Sequence, residues 1–257
     1  MMNTQHLTDL IPLLLLGLAT FVLAGFVKGV IGLGLPTVAV GLLGLAMPTA
    51  QAAALLIVPS LVTNVWQLLA GPRFAALAGR LWPMLVGICV GTWAGGGWLA
   101  NGGNVAGMAL GIALLVYAAL GLAAVRLHVP KRWSAARVSA LGAGMGVVTG
   151  LVTAATGVFV IPAVPFLQAL DLERDDLVQA LGLSFTVSTV ALAAGLARDG
   201  IFHGHAIGVS LLALAPALGG MYFGQWVRGR VSASVFRRCF FVGLAMLGAE
   251  LVIQHLR

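Results

Sequence analysis

The stretch FVKGVIGLGLPT, Phe26 to Thr37, decides how the chain is read. It places Lys28 inside apolar sequence and then breaks into Gly32, Gly34 and Pro36. Upstream runs LIPLLLLGLATFVLAG and downstream VAVGLLGLAM, so Lys28 is the only basic residue before Arg73. A lysine beside a glycine–proline break, at the depth of a membrane span, requires an explanation in both fold and function.

The surrounding composition supports the membrane reading. The 257 residues are 60% hydrophobic and 8% charged, with a mean hydropathy of +1.06. Soluble domains carry about 25% charged residues. Apolar runs of about 20 residues, the length that crosses a hydrocarbon core, recur along the chain. They are continuous rather than alternating, which excludes a β-barrel. The start, MMNTQHLTD, lacks the basic region of a cleaved signal, so the first segment is expected to remain. The net charge of +7 does not point to nucleic acid, because all Lys/Arg except Lys28 fall in loops or at segment ends. Cys89 and Cys239 are read as small buried hydrophobes rather than a disulfide pair.

Eight apolar stretches follow: 7–47, 49–70, 81–100, 105–125, 138–170, 177–197, 207–227 and 238–256. The stretches 7–47 and 138–170 are too long for one span, and each opens a group of four. GFVKG (25–29) matches GVVTG (146–150), QAAALLIVPS (51–60) matches QALGLSFTVS (179–188), and GTWAG (91–95) matches GMYFG (220–224). The expected fold is an all-α polytopic membrane protein of two inverted repeats, each a broken helical hairpin followed by three transmembrane helices. The first repeat is 1–125, the basic cytoplasmic linker 126–137, and the second repeat 138–257.

Inversion is read from the loops. NGGN (101–104) has no basic residue, whereas its counterpart RGRVSASVFRR (228–238) has four arginines. Short Lys/Arg-rich loops stay cytoplasmic, so equivalent loops face opposite sides. At about 1.5 Å per residue, 138–170 makes about 50 Å of helix, short of two ~30 Å crossings. A broken hairpin accommodates it. The cytoplasmic side then holds Arg73, Arg80, Arg126, Lys131, Arg132, Arg137, Arg174, Arg228, Arg230, Arg237 and Arg238, against Arg198 and Arg257 opposite.

Broken backbone at membrane depth is tolerated where it is packed in protein or lines a cavity. In secondary transporters, half-helix N-termini at such breaks point N–H groups at anionic cargo. The breaks here are GLGLPT (32–37) and TAATGVFVIP (153–162). Gly32, Gly34 and Gly157 permit close approach and unusual φ, while Thr37, Thr153 and Thr156 offer uncharged donors. Buried Lys28 needs a compensating partner, and a bound anion is one. Snorkelling to the interface is the other reading. Close helix packing is likewise an alternative for the glycines. Ser60, Asn64 and Gln67 share one helix face, and Ser184 and Ser188 lie one turn apart in the equivalent helix. A shared cavity of neutral donors, or interhelical hydrogen bonding, accounts for both faces.

LAGFVKGVIGLGLPTVAV, the following PTAQA, and the degenerate copy GMGVVTGLVTAATGVFVIP resemble the sulfite exporter TauE/SafE family over nearly the whole chain. Two positions depart from the family's usual first motif: Leu35 stands where glycines often continue, and Lys28 is not typical there. The resemblance implies an inner-membrane transporter, in a bacterial plasma membrane, carrying sulfite or a small organosulfonate. No cofactor is implied. Glu250 is a candidate proton carrier, with an interfacial, arginine-paired role as the alternative. An enzyme is not expected, since His6, His128, His203, His205 and His255 lie in loops or at ends and no HExxH occurs. The rival class is a non-transporting membrane scaffold or assembly subunit.

Overall fold

A computed structural model describes residues 4–124, 128–130 and 132–256. Of the basic positions above, Arg126, Lys131 and Arg257 lie outside the described residues. Every regular element among the described residues is helical. In chain order they are α1 (Thr4–Ile31), α2 (Leu35–Gly44), α3 (Thr49–Leu69), α4 (Phe74–Ala94), α5 (Trp98–Asn101) and α6 (Gly103–Leu122). They continue as α7 (Ala135–Thr156), α8 (Ala163–Ala169), α9 (Arg174–Arg198), α10 (Gly204–Arg228) and α11 (Ala233–Leu256). Eight candidate membrane spans result, with α2 and α8 as short helices between them.

The helices begin before the apolar stretches do. The stretch read as 81–100 starts at Phe74, because α4 carries Arg80 within its first two turns. Long side chains can keep their charge at the membrane edge from such a position. Large apolar side chains such as Leu14, Val86, Val90, Leu212 and Met246 are exposed on the outside of the bundle. In water that surface would be an aggregation liability, and in a bilayer it faces its solvent. Cys89 and Cys239, expected to be buried, are free and exposed on this outer surface. Small apolar residues are equally at home against lipid, so composition could not separate the two positions.

The two long stretches turn for different physical reasons. After α1, Gly32 (φ 77°) and Gly34 (φ 106°) adopt left-handed conformations that disfavour a Cβ. Gly34 O then accepts from Val38 N–H and from the Thr37 hydroxyl, both at 2.9 Å. Pro36, in the first turn of α2, forfeits an N–H that would be unsatisfied there anyway. In the second stretch, Gly157 (φ 72°) ends α7, and the chain runs through buried Val158, Phe159 and Val160 before α8. Irregular, more extended backbone covers more distance per residue than helix. The return leg can therefore be short, and α8 has only 7 residues.

Two helix pairs pack reciprocally at backbone contact through two glycines on each helix. A Cβ added at Gly25 or Gly29 of α1 would lie 2.0 or 2.2 Å from the carbonyl oxygen of Ala217 or Met221 in α10. Gly220 and Gly224 of α10 abut the carbonyls of Val22 and Phe26 in the same way. The α4–α7 pair repeats the arrangement. Gly87 and Gly91 meet the carbonyls of Ala143 and Val147, and Gly146 and Gly150 meet those of Met84 and Ile88. Lipid supplies no hydrophobic force between helices, so close dispersion contact through small residues does this work.

The α3 helix also carries a proline inside its span, Pro59. Proline removes one N–H and leaves the carbonyl four residues back without its helical donor. Ser210 of α10 repairs the gap: its hydroxyl donates to Leu55 O at 2.8 Å and accepts from Val58 N–H at 3.0 Å.

Candidate functional site

Lys28 lies near the end of α1 with 4% of its surface exposed. Its Nζ donates to Asn64 Oδ1 on α3. A lysine can only donate, so this contact fixes which end of the amide is oxygen. Asn64 Nδ2 then donates to Ser60 Oγ at 3.1 Å and to Thr189 Oγ1 of α9 at 3.2 Å. Thr189 Oγ1 in turn donates to Phe185 O at 2.7 Å. The result is one chain of hydrogen bonds from α1 through α3 to α9. Lys28 makes no ion pair with any described residue, and Asn64 is its only hydrogen-bond partner among them. An ammonium has three donors, so two remain unpartnered among the described residues.

The first break joins this cluster through Gln67, one turn beyond Asn64. Gln67 Nε2 donates to Gly32 O at 2.9 Å, while its Oε1 is buried without a hydrogen-bond partner among the described residues. Gly32 itself continues the helix by donating its N–H to Lys28 O at 2.8 Å. Thr37 is fully buried but its hydroxyl is committed to Gly34 O. The structure therefore brings together Lys28, Gly32, Ser60 and Asn64, with Gly34 and Thr37 shaping the turn beside them.

The second break is built otherwise. Thr153 Oγ1 donates to Thr149 O and Thr156 Oγ1 to Val152 O, each at 2.7 Å. Thr156 Oγ1 also accepts from Val158 N–H at 3.1 Å. Both hydroxyls thus serve the backbone of α7. Around Gly157 stand Ala53, Leu99 and Val40, all apolar. Thr153, Thr156 and Gly157 do not join the Lys28 cluster through any hydrogen bond. Ser184 and Ser188 are buried, yet their hydroxyls have no hydrogen-bond partner among the described residues. Thr189, one residue beyond Ser188, is the α9 hydroxyl that reaches α3.

Gln67 and Thr189 complete the cluster. Gln67 shares the face of Ser60 and Asn64 and could be placed by that spacing. Thr189 could not, since neighbouring positions on a helix point about 100° apart.

One end of the bundle gathers the basic loops. Arg73 forms a 2.8 Å ion pair with Asp176. That neighbouring carboxylate raises the Arg73 pKa above its ordinary value, keeping the guanidinium charged. Close by, Gln179 Nε2 donates to the carbonyls of Leu68 and Gly71 and so caps α3, while its Oε1 accepts from Arg73 N–H at 3.0 Å. At the same end opens a cavity of about 930 Å³, whose lining includes Val30, Ile31 and Leu33 from the first break.

An all-helical bundle with eight candidate spans is a multi-pass membrane protein. The sequence matches the family described as sulfite exporter TauE/SafE over residues 16–251. The chain belongs to that family, whose members are membrane transporters of sulfur anions and not enzymes. No curated protein and no solved structure matches it.

Proposed function

We propose that this protein carries a small sulfur oxyanion, sulfite or an organosulfonate, across a bacterial inner membrane by alternating access. The cargo sits at the first break, against Lys28, Gly32, Asn64 and Ser60, with Gly34 and Thr37 setting the turn. The observation that carries this reading is the buried Lys28 ammonium, partnered by a neutral amide and by no carboxylate among the described residues. A cation at the bilayer centre costs about 2.5–3.5 kcal/mol on insertion scales. Asn64 returns part of that as one charge-assisted hydrogen bond, and the two remaining donors suit an oxyanion. In this reading Thr153, Thr156, Gly157, Ser184 and Ser188 form the opposite wall, reached when the bundle rearranges.

The wider architecture proposed is a pair of inverted repeats, 1–125 and 138–257. Its support is the reciprocal packing: α1 on α10 and α7 on α4, through glycines in matching places. Gly25 and Gly29 play the part of Gly146 and Gly150. Gly220 and Gly224 play the part of Gly87 and Gly91, one turn earlier than the GTWAG match. Pro83 and Pro216, each four residues before the first of those glycines, fall in the same alignment. The basic end, with Arg73, Arg174, Arg228 and Arg237, is placed in the cytoplasm by the positive-inside rule.

The test is labelled sulfite and sulfoacetate flux in proteoliposomes, with wild type against Lys28→Ala and Lys28→Gln. Loss of flux in both folded variants supports the reading. Unchanged flux would remove Lys28 from the cargo site, and no flux in wild type for either anion would remove the function.

A further inference from the structure

The cavity at the basic end is not part of the Lys28 cluster. Its lining contains Arg174 from α9, Arg228 from the end of α10 and Arg237 from α11, together with His128. None of the three guanidiniums is paired with a carboxylate among the described residues, whereas Arg73 is. Asp171 is the one carboxylate among the described lining residues, which therefore keep an excess of positive charge. Two other basic residues of this end have different surroundings. Arg230 stacks on Trp226 with its Cζ 3.5 Å from the ring centre, and Arg80 lines a separate small cleft near Leu170.

Charges that only set orientation need no common concavity. These three come from separate helices onto one cavity of about 930 Å³, whose wall reaches the first break at Val30, Ile31 and Leu33. Low-dielectric walls focus the field of like charges and concentrate counter-ions. A guanidinium presents paired N–H donors that match the oxygens of a sulfonate or carboxylate. The volume greatly exceeds what one small oxyanion needs, so such an ion would enter still hydrated.

We propose that this cavity is a separate capture site for oxyanions, with Arg174, Arg228 and Arg237 as its recognition groups, loading the membrane-depth site from the basic end. The proposal rests on the carrier reading for its role, though not for its binding. An anion held here is loosely bound and salt-sensitive, and it passes to Lys28 only when the segment around Gly32 opens.

The experiment is equilibrium binding of labelled sulfoacetate to the purified full-length chain in detergent, at low and high salt. Wild type shows saturable, salt-sensitive binding that survives Lys28→Gln. It weakens about tenfold in the Arg228→Gln/Arg237→Gln double variant, the effect of losing charged hydrogen bonds. It is unchanged in Arg238→Gln, whose arginine does not line the cavity. Both arginines of the double variant are exposed, so folding is retained and a thermal melt verifies it. Binding lost in Lys28→Gln would merge the two sites and overturn the proposal. So would an equal loss in Arg238→Gln, or no saturable binding in wild type. Displacement by equimolar phosphatidylglycerol would assign the arginines to a lipid headgroup and overturn it as well. Failure of the carrier reading looks different: no flux in proteoliposomes, with arginine-dependent binding intact.

Discussion

The two breaks begin from similar sequence and end as different chemistry. Around the first, Lys28, Asn64 and Gln67 converge on a glycine turn, and polar groups remain with unused hydrogen-bonding capacity. Around the second, Val158, Phe159, Val160 and Ala163 are all fully buried, and both threonines satisfy the local backbone. Phe159 further packs against Phe185 of α9, with ring centres 5.3 Å apart. A break at membrane depth can serve as a binding element or as a packed wall. What separates the cases is whether neighbouring helices bring donors or side-chain bulk.

The strongest way to test that contrast is to change the matched positions Lys28 and Thr149. Lys28→Gln should lower sulfite flux about 100-fold, the upper range for losing charged hydrogen bonds. Thr149→Val should stay within about twofold, because the Thr149 hydroxyl is occupied by Met145 O. Equal losses would break the comparison. Next comes Asn64→Leu, which leaves the ammonium buried with no acceptor and should destabilise the protein by about 3 kcal/mol in detergent unfolding. Adding Lys28→Leu should recover much of that loss, a non-additivity readable from the double-mutant cycle.

Glycine substitutions sharpen the contrast at smaller magnitude. Gly34→Ala introduces a Cβ at φ 106°, 2.7 Å from Val27 Cγ1. It should cost at least about 1–2 kcal/mol, the left-handed penalty, and disturb flux as well. Gly157→Ala meets Ala53 Cβ at 2.8 Å and should lower the melting temperature. The smallest effect expected is that of Thr156→Val, about 1 kcal/mol, since Val158 N–H loses its acceptor. An unchanged KM in that variant would remove Thr156 from the proposed opposite wall of the cargo site.

Both breaks were legible in the sequence because glycine and proline act through the backbone, where local composition suffices. Asn64 and Ser60 were legible through helical spacing. Thr153 and Thr156 looked like free donors, but a helical hydroxyl can turn to the carbonyl four residues back, and sequence does not record which way it turns. The protein partner of Lys28 was also hidden, since Asn64 reaches it from another helix. The arginine-lined cavity was less legible still. Its walls come from α1, α6, α8, α9, α10 and α11, and in one dimension its arginines are indistinguishable from orientation signals.

The glycine seam between α1 and α10 has a consequence for biogenesis. Gly25 and Gly29 leave the ribosome early, whereas the carbonyls they rest against belong to residues 217 and 221. During synthesis the first helix must wait in the bilayer with its grooved face toward lipid, at the few residues per second of translation. Truncated chains ending before α10 would hold α1 without its seat and present a ready substrate to membrane proteases. A separately expressed C-terminal fragment containing α10 should rescue such a chain, because the seam is built from two helices and no covalent link between them is required.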